Sequence, residues 1–227
     1  MATMSSPGDR TVRDELLHAA VGLLDDHGPD ALQTRKVSSA AGTSTMAVYT
    51  HFGGMRALIA EVAEEGRRQF DIAVRVPDTD DPVADMLTCG VAYRGFAIER
   101  PHLYRLMFGS TSAHGIDAPG RNLLTMTIDE IRAQYAAFGQ LVHLVHRCML
   151  AGRITVGSAG DEPSVITASA QLWTTIHGFV MLELAGYFGG DGSAVGPVLG
   201  ATVGNLLVAL GDSPERLVGS LTAAGWL

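Results

Sequence analysis

Apolar residues recur at spacings of three and four along most of the chain, and alternating runs of β-branched residues are nearly absent. That periodicity belongs to helices packed on one another, so an all-α fold is expected. Val12, Leu16, Ala19, Leu23 and Leu24 form one stripe over about Asp9 to His27, and Gly28 with Pro29 supplies a stop. A short helix with Thr34 as its N-cap follows, with Val37, Ala40 and Ala41 inward. Gly42 permits a sharp turn, and Ser44 caps a third helix. There Val48 and Phe52 share a face and act as anchors, while Met46, Ala47, Tyr49 and Thr50 point elsewhere. So short a helix is not stable alone; its anchors hold it and leave the other faces for a partner. Gly53 and Gly54 then lead into a longer helix from Met55 to about Arg75, with Leu58, Ile59, Val62, Ala63 and Phe70 inward. Pro77 with Asp78, Asp80 and Asp81 marks its end.

Beyond that point, helices are predicted over Pro82 to Ile98 and from Pro101, which stands as an N1 proline. The turn-rich stretch STSAHGIDAPG separates them from a helical region spanning about Gly120 to Arg153, with a kink near Gly139. After the loop GSAGDEP, Ser164 to Phe188 and Ala194 to Leu210 carry almost no charge. Helices apolar on more than one side are buried on more than one side. The division expected is a three-helix domain with its connecting helix, residues 9–75, joined to a larger helical bundle, residues 78–227.

The 227 residues are 47% hydrophobic, enough for a sizeable core. Residues 1–8, MATMSSPG, lack the basic start and apolar run of a signal peptide, and there is no unbroken apolar run of about eighteen residues. A cytoplasmic protein without a membrane partner is expected. Cys89 and Cys148 stand apart in apolar patterns and read as core residues. His143 and His146 have a spacing that suits a metal, but no acidic partner accompanies them, so neither metal nor cofactor is expected.

Charge alters the picture more than composition does. The formal net charge is −8, yet no Asp or Glu lies between Asp30 and Glu61, a window that holds Arg35, Lys36, His51 and Arg56. Repulsion of carboxylates by a phosphate backbone is one reason for such a gap. Short helix, glycine turn, short helix is also the layout of a DNA-reading helix-turn-helix.

The segment TRKVSSAAGTSTMAVYTHFGGMRAL resembles the DNA-binding domain of the tetracycline-repressor (TetR) family of bacterial transcriptional regulators, through the AGTS turn, the Tyr49, His51, Phe52 cluster and the register of Ala57 and Leu58. RPHLYRLMFG and the later Trp173, His177, Gly178 are similar to the regulatory domain of one branch of that family, known by its Trp-His-Gly signature. The resemblance implies a homodimer that binds a palindromic double-stranded DNA operator and is released by a small molecule. By position it puts Thr45, Met46 and Ala47 near bases. Thr34, Arg35, Ser44, Tyr49 and His51 are placed on the backbone, with Arg35 also able to reach a base. Met55 stands where the family often has a phosphate-binding lysine, and Arg56 follows it.

Trp173, His177 and Met181 share a helix face. They read equally as core packing or as walls of a cavity for an apolar effector, with Tyr93, Phe96, Leu103, Met107, Phe108 and Met149. Glu183 needs a partner, solvent at an interface edge, or a ligand, and the interface edge is favoured. A two-fold four-helix interface is expected from Ile176, Val180, Leu184 and Tyr187 against Val198, Val203, Leu206, Leu207 and Leu210. The reading is a ligand-responsive, non-enzymatic DNA-binding repressor. Its rivals are an all-helical enzyme using His177 with Glu183 or His143 with His146, and a helical dimerisation scaffold; no nucleophile elbow or phosphate loop supports an enzyme.

Overall fold

A computed structural model describes residues 11–109 and 121–226. Residues 9 and 10 of the first expected helix, and the turn-rich stretch 110–120, lie outside the described residues. Every regular element among the described residues is helical, as the apolar periodicity predicts. The chain divides into two compact units, Met1–Gln69 with Glu99–Gly120, and Phe70–Ile98 with Arg121–Leu227.

In the first unit, α1 (Val12–His27) starts with a capping box. Thr11 Oγ1 accepts from the Asp14 N–H at 3.2 Å, and the Asp14 carboxylate accepts from the Thr11 N–H, so two otherwise unpaired donors are satisfied. The helix ends where expected, at Gly28, whose φ of 73° favours glycine. Leu16, Ala20, Val21 and Leu24 form its buried face. α2 (Thr34–Ala40) begins at Thr34 itself, with Gln33 as the N-cap; Val37 and Ser38 point inward and Ala40 is exposed. α3 (Thr45–Phe52) follows the Gly42 turn and ends at Gly53, which is left-handed at φ 75°. α4 (Met55–Ala73) buries Leu58, Ile59, Val62 and Ala63 completely.

α6 (Pro101–Met107) also belongs to this first unit, although it follows the expected domain boundary. The reason is a set of contacts distant in sequence. Gly66 on α4 has no side chain, and a Cβ there would lie 2.8 Å from Leu103 Cδ1 and 2.9 Å from Met107 Cγ. Arg100, which opens α6, pairs with Asp25 of α1 and donates to Gln69 of α4.

In the second unit, α5 (Pro82–Glu99) is followed by α7 (Ile128–Gln134) and α8 (Ala136–Leu150), then α9 (Glu162–Leu184), α10 (Ala201–Ala209) and α11 (Pro214–Ala223). The break in the long helical region falls at Tyr135 (φ −137°, ψ 68°) rather than near Gly139. Gly139 has another purpose: a Cβ there would come within 3.1 Å of Arg132 Cα, so glycine lets α7 and α8 approach. The start of α8 is satisfied by Asp71, which accepts from the Ala137 N–H at 2.8 Å. The stretch before α10 is a π-type turn over Val195–Gly200; Pro197 within it lacks a donor and disfavours an α-helical start. α11 lies beyond the elements expected from periodicity, and its signals are Ser213 as N-cap, Pro214 at N1 and Glu215 in the first turn.

By length and composition α9 is apolar enough to cross a bilayer, a property that it shares with core helices, and it packs against α8 and α10. Cys89 and Cys148 are buried free thiols on α5 and α8, and burial pushes both up to about 12. Arg153 is a buried polar centre. It binds the Asp212 carboxylate through two nitrogens at 2.6 and 2.7 Å, Asp81 at 3.0 Å and the Ser220 hydroxyl at 3.0 Å, tying α11 to the start of α5. Burial opposes ionisation of Asp81, but hydrogen bonds from Ser220 and Ala84 and the Arg153 charge outweigh it and hold its pKa below the usual carboxylate range. His143 Nε2–H donates to the Asp78 carboxylate, 3.0 Å away, and Arg147 on the same helix bridges Asp78 and Asp85.

Candidate nucleic-acid interface

α3 is held by Val48, which is fully buried, and by Phe52, which is half-buried beneath the Arg13 guanidinium, 4.9 Å from the ring centre. Arg13 in turn pairs with Glu61 of α4 at 3.0 Å, so one side chain spans the end of α3 and the helix after it. With these anchors inward, Thr45, Met46, Tyr49, Thr50 and His51 are exposed, Met46 by 67% and Tyr49 by 57%. Ala47 is half-buried. Ser44 is the exposed N-cap residue, without a side-chain capping bond.

The flanking charges differ from the other cations of this unit. Arg13, Arg67, Arg68 and Arg100 each sit on a carboxylate. Arg35, Lys36 and Arg56 are exposed and make no ion pair among the described residues. Three unpaired cations around an acid-free helix give a surface of positive potential on an acidic chain, and local potential governs contact with phosphate. Thr34, at the start of α2, is half-buried. Lys36 is missing from the residues that sequence reasoning assigned to DNA, although it follows Arg35 in α2 and is exposed like it.

The second unit holds an aromatic group with a polar chain through it. The Trp173 indole N–H donates to the Tyr93 hydroxyl at 3.2 Å, which lies 2.9 Å from His177 Nδ1. Phe138 stands 5.5 Å from Trp173 between ring centres, and Phe70 packs edge-on against Tyr93 at 4.9 Å and Phe96 at 5.3 Å. Burial lowers the His177 pKa, which favours the neutral ring. Phe138 was not foreseen in this group; its only sequence signal is its place on the apolar stripe of α8. Met149 is buried on α8 and Met181 half-buried on α9. Leu103, Met107 and Phe108 lie in the first unit, where Leu103 and Met107 pack at Gly66 and Phe108 packs on Tyr104, 4.9 Å between ring centres.

Glu183 is not at an exposed edge. It is 5% exposed and binds Arg94 of α5 through two nitrogens, at 2.8 and 2.6 Å. That geometry compensates a carboxylate buried in an apolar helix. Elsewhere in the second unit a cleft of about 300 Å³ is lined by Val156, Asp161, Ser164, Thr167, Gln171 and Leu210, among others. Of the residues expected to wall an effector cavity, none lines it.

A family model described as the tetracyclin repressor-like C-terminal domain matches residues 86–204, and one described as bacterial regulatory proteins of the tetR family matches residues 16–62. The chain belongs to the tetR family. Among solved structures, this tetR regulator is similar to a protein of unknown function from Rhodococcus sp. RHA1, at 25% identity over 91% of this chain and 99% of that one, with a TM-score of 0.68. RolR, in a structure without ligand, has the same fold at 14% identity, covering 93% of this chain and 95% of that one, with a TM-score of 0.60. So does a protein described as a tetR family transcription regulator from Shewanella sp. PV-4, at 16% identity over 88% and 98% with a TM-score of 0.58. No curated relative matches the sequence.

Members of the tetR family bind operators as dimers, and the structure sorts the residues expected at a dimer seam. Ile176, Val180, Val203, Leu207 and Leu210 are buried within the single chain. A residue already covered by its own subunit has no surface left to bury against a second. Leu184 and Leu206 are half-buried, Val198 is 38% exposed and Tyr187 is 77% exposed. The uncovered stripe of α9 runs through Gln171, Thr174, Gly178 and Leu182 to its cap residue Ala185, and that of α10 through Ala201, Thr202, Asn205 and Val208. Both stripes lack charge.

Proposed function

We propose that this tetR-family regulator is a ligand-responsive repressor that binds a palindromic operator as a homodimer and leaves it when an apolar small molecule binds. The observation that carries the DNA assignment is the charge pattern flanking α3, where Arg35, Lys36 and Arg56 are exposed without an ion pair among the described residues and no Asp or Glu lies between Asp30 and Glu61. In this reading residues 9–75 bind DNA, with Thr45, Met46 and Ala47 at base edges. Thr34, Arg35, Ser44, Tyr49, His51 and Arg56 hold the phosphate backbone and fix the register. Residues 78–227 bind the effector and the second subunit, in the cytoplasm, and no catalytic step is involved.

For the dimer seam we assign the charge-free exposed stripes of α9 and α10, centred on Gly178, Leu182, Asn205 and Val208, in place of the more deeply buried residues. Four helices meeting across a two-fold axis would cover both stripes at once. The effector is assigned to the aromatic group of Tyr93, Phe96, Trp173 and His177, which fits the Trp-His-Gly branch. Trp173 and His177 lie 5.7 Å apart between ring centres and the Tyr93 hydroxyl bridges both, so an effector has to part them. Binding that parts them selects a second conformation, as release from DNA demands. Effector and operator then weaken each other by the same factor.

The test is fluorescence anisotropy of the purified protein against the DNA upstream of its own gene and against scrambled DNA of equal length, across several salt concentrations. Preference for the upstream DNA that falls with salt supports the reading and provides an assay for effectors. Equal binding to both, followed by failure to enrich any sequence from random DNA, overturns it.

A further inference from the structure

We infer that the operator half-site read by α3 presents thymine, and that Met46 and Thr45 read it through the thymine C5-methyl group; the inference rests on the assignment of α3 to DNA. The exposed face of α3 consists of Thr45, Met46, Tyr49, Thr50 and His51, with no carboxylate, amide, Lys or Arg among them. Guanine is read best by an Arg or Lys that engages O6 and N7, and adenine by an amide that engages N6 and N7. α3 has neither. The Thr50 hydroxyl is also committed, donating to the Met46 carbonyl at 3.1 Å.

The major groove offers one apolar feature, the thymine methyl. Met46 holds its thioether 67% exposed on a surface helix, and Thr45 beside it is exposed at the first position of α3. An exposed methionine is of no use to the core, whereas a soft, flexible thioether moulds well around a methyl group. Arg35, Lys36 and Arg56 supply attraction for phosphate that is independent of sequence. Affinity and sequence choice are thus carried by different residues. The cations hold the duplex, and the apolar tip of α3 selects the base.

The experiment selects duplexes from a random-sequence library with the full-length protein, then replaces each thymine of the selected half-site by uracil, which removes only the methyl group. At one or more positions affinity is expected to fall about four-fold, the worth of one buried methyl-sized group. The fall is expected to vanish in Met46→Ala or, for a neighbouring thymine, in Thr45→Ser. Because Met46 is so exposed, Met46→Ala should melt like the parent protein, which separates loss of contact from loss of fold. Unchanged affinity throughout the uracil series overturns the thymine inference and leaves DNA binding intact, as does a uracil effect of equal size in both variants. Failure to select any duplex overturns the DNA assignment and the inference together.

Discussion

The Tyr93 hydroxyl lies 2.9 Å from Nδ1 of His177 while it accepts the Trp173 indole N–H. With its oxygen so engaged, the phenol has its own hydrogen to donate, and a neutral His177 with a bare Nδ1 completes the chain. Burial favours that neutral ring. The unfolded chain takes up a proton at this residue below about pH 6.5, whereas the folded chain resists. The stability due to His177 is therefore full above that pH and is lost as pH falls below it. Thermal melts from about pH 7.5 down to about pH 5 should show Tm falling, and His177→Gln should flatten that fall. Asp81 and Asp85, held below the usual carboxylate range, act only in more acid solution. A slope unaltered by His177→Gln would place the titration elsewhere.

Arg153 and Asp212 test the polar centre of the second unit. Their side chains are 5% and 0% exposed, so removing one partner strands the other. Arg153→Met should cost about 3–5 kcal/mol, read from the urea midpoint. Joint replacement of Arg153 by Met and Asp212 by Leu should recover a large part of that loss. Equal destabilisation by the single and double variants would mean that packing, not charge, dominates there.

Gly66 and Gly95 should respond to alanine with opposite signs. A Cβ at Gly66 would lie 2.8 Å from Leu103 Cδ1 and 2.9 Å from Leu103 Cγ, whereas nothing stands within 4 Å of one at Gly95. Both sit in helices, where alanine is better by about 1 kcal/mol. Gly95→Ala should gain roughly that amount. Gly66→Ala should lose about 1 kcal/mol, because overpacking costs about 1–3 kcal/mol and exceeds the gain. Chemical denaturation of the two variants side by side checks both signs.

Salt dependence tests the unpaired cations. Arg56→Ala should reduce the slope of log affinity against log salt by about 0.9, the value of one phosphate contact, and Lys36→Ala should do the same. Tyr49→Ala should weaken binding with little change of slope. A slope unmoved by Arg56→Ala removes Arg56 from the contact surface.

Much of the architecture was legible in the residues alone. Helical periodicity, the Gly28 and Pro29 stop, the Gly42 turn, and Val48 as the anchor of α3 all depend on neighbours within one or two turns. So does the acid-free window, a linear property of the chain. Pattern and turn chemistry act over such distances, which is why the helix-turn-helix could be read before any contact was known.

What tertiary structure decided was which faces are covered and by what. α6 joins the first unit through the meeting of Leu103 and Met107 with Gly66, more than thirty residues away in sequence. Glu183 is satisfied by Arg94 across 89 positions, where its own helix suggested an exposed edge. Five of the residues expected at the dimer seam are instead spent on the chain's own core, and the helix break sits at Tyr135 with Gly139 serving a close approach. An apolar stripe in the sequence states that a face must be buried. Only long-range docking chooses its partner, because the hydrophobic effect that drives burial has no direction of its own.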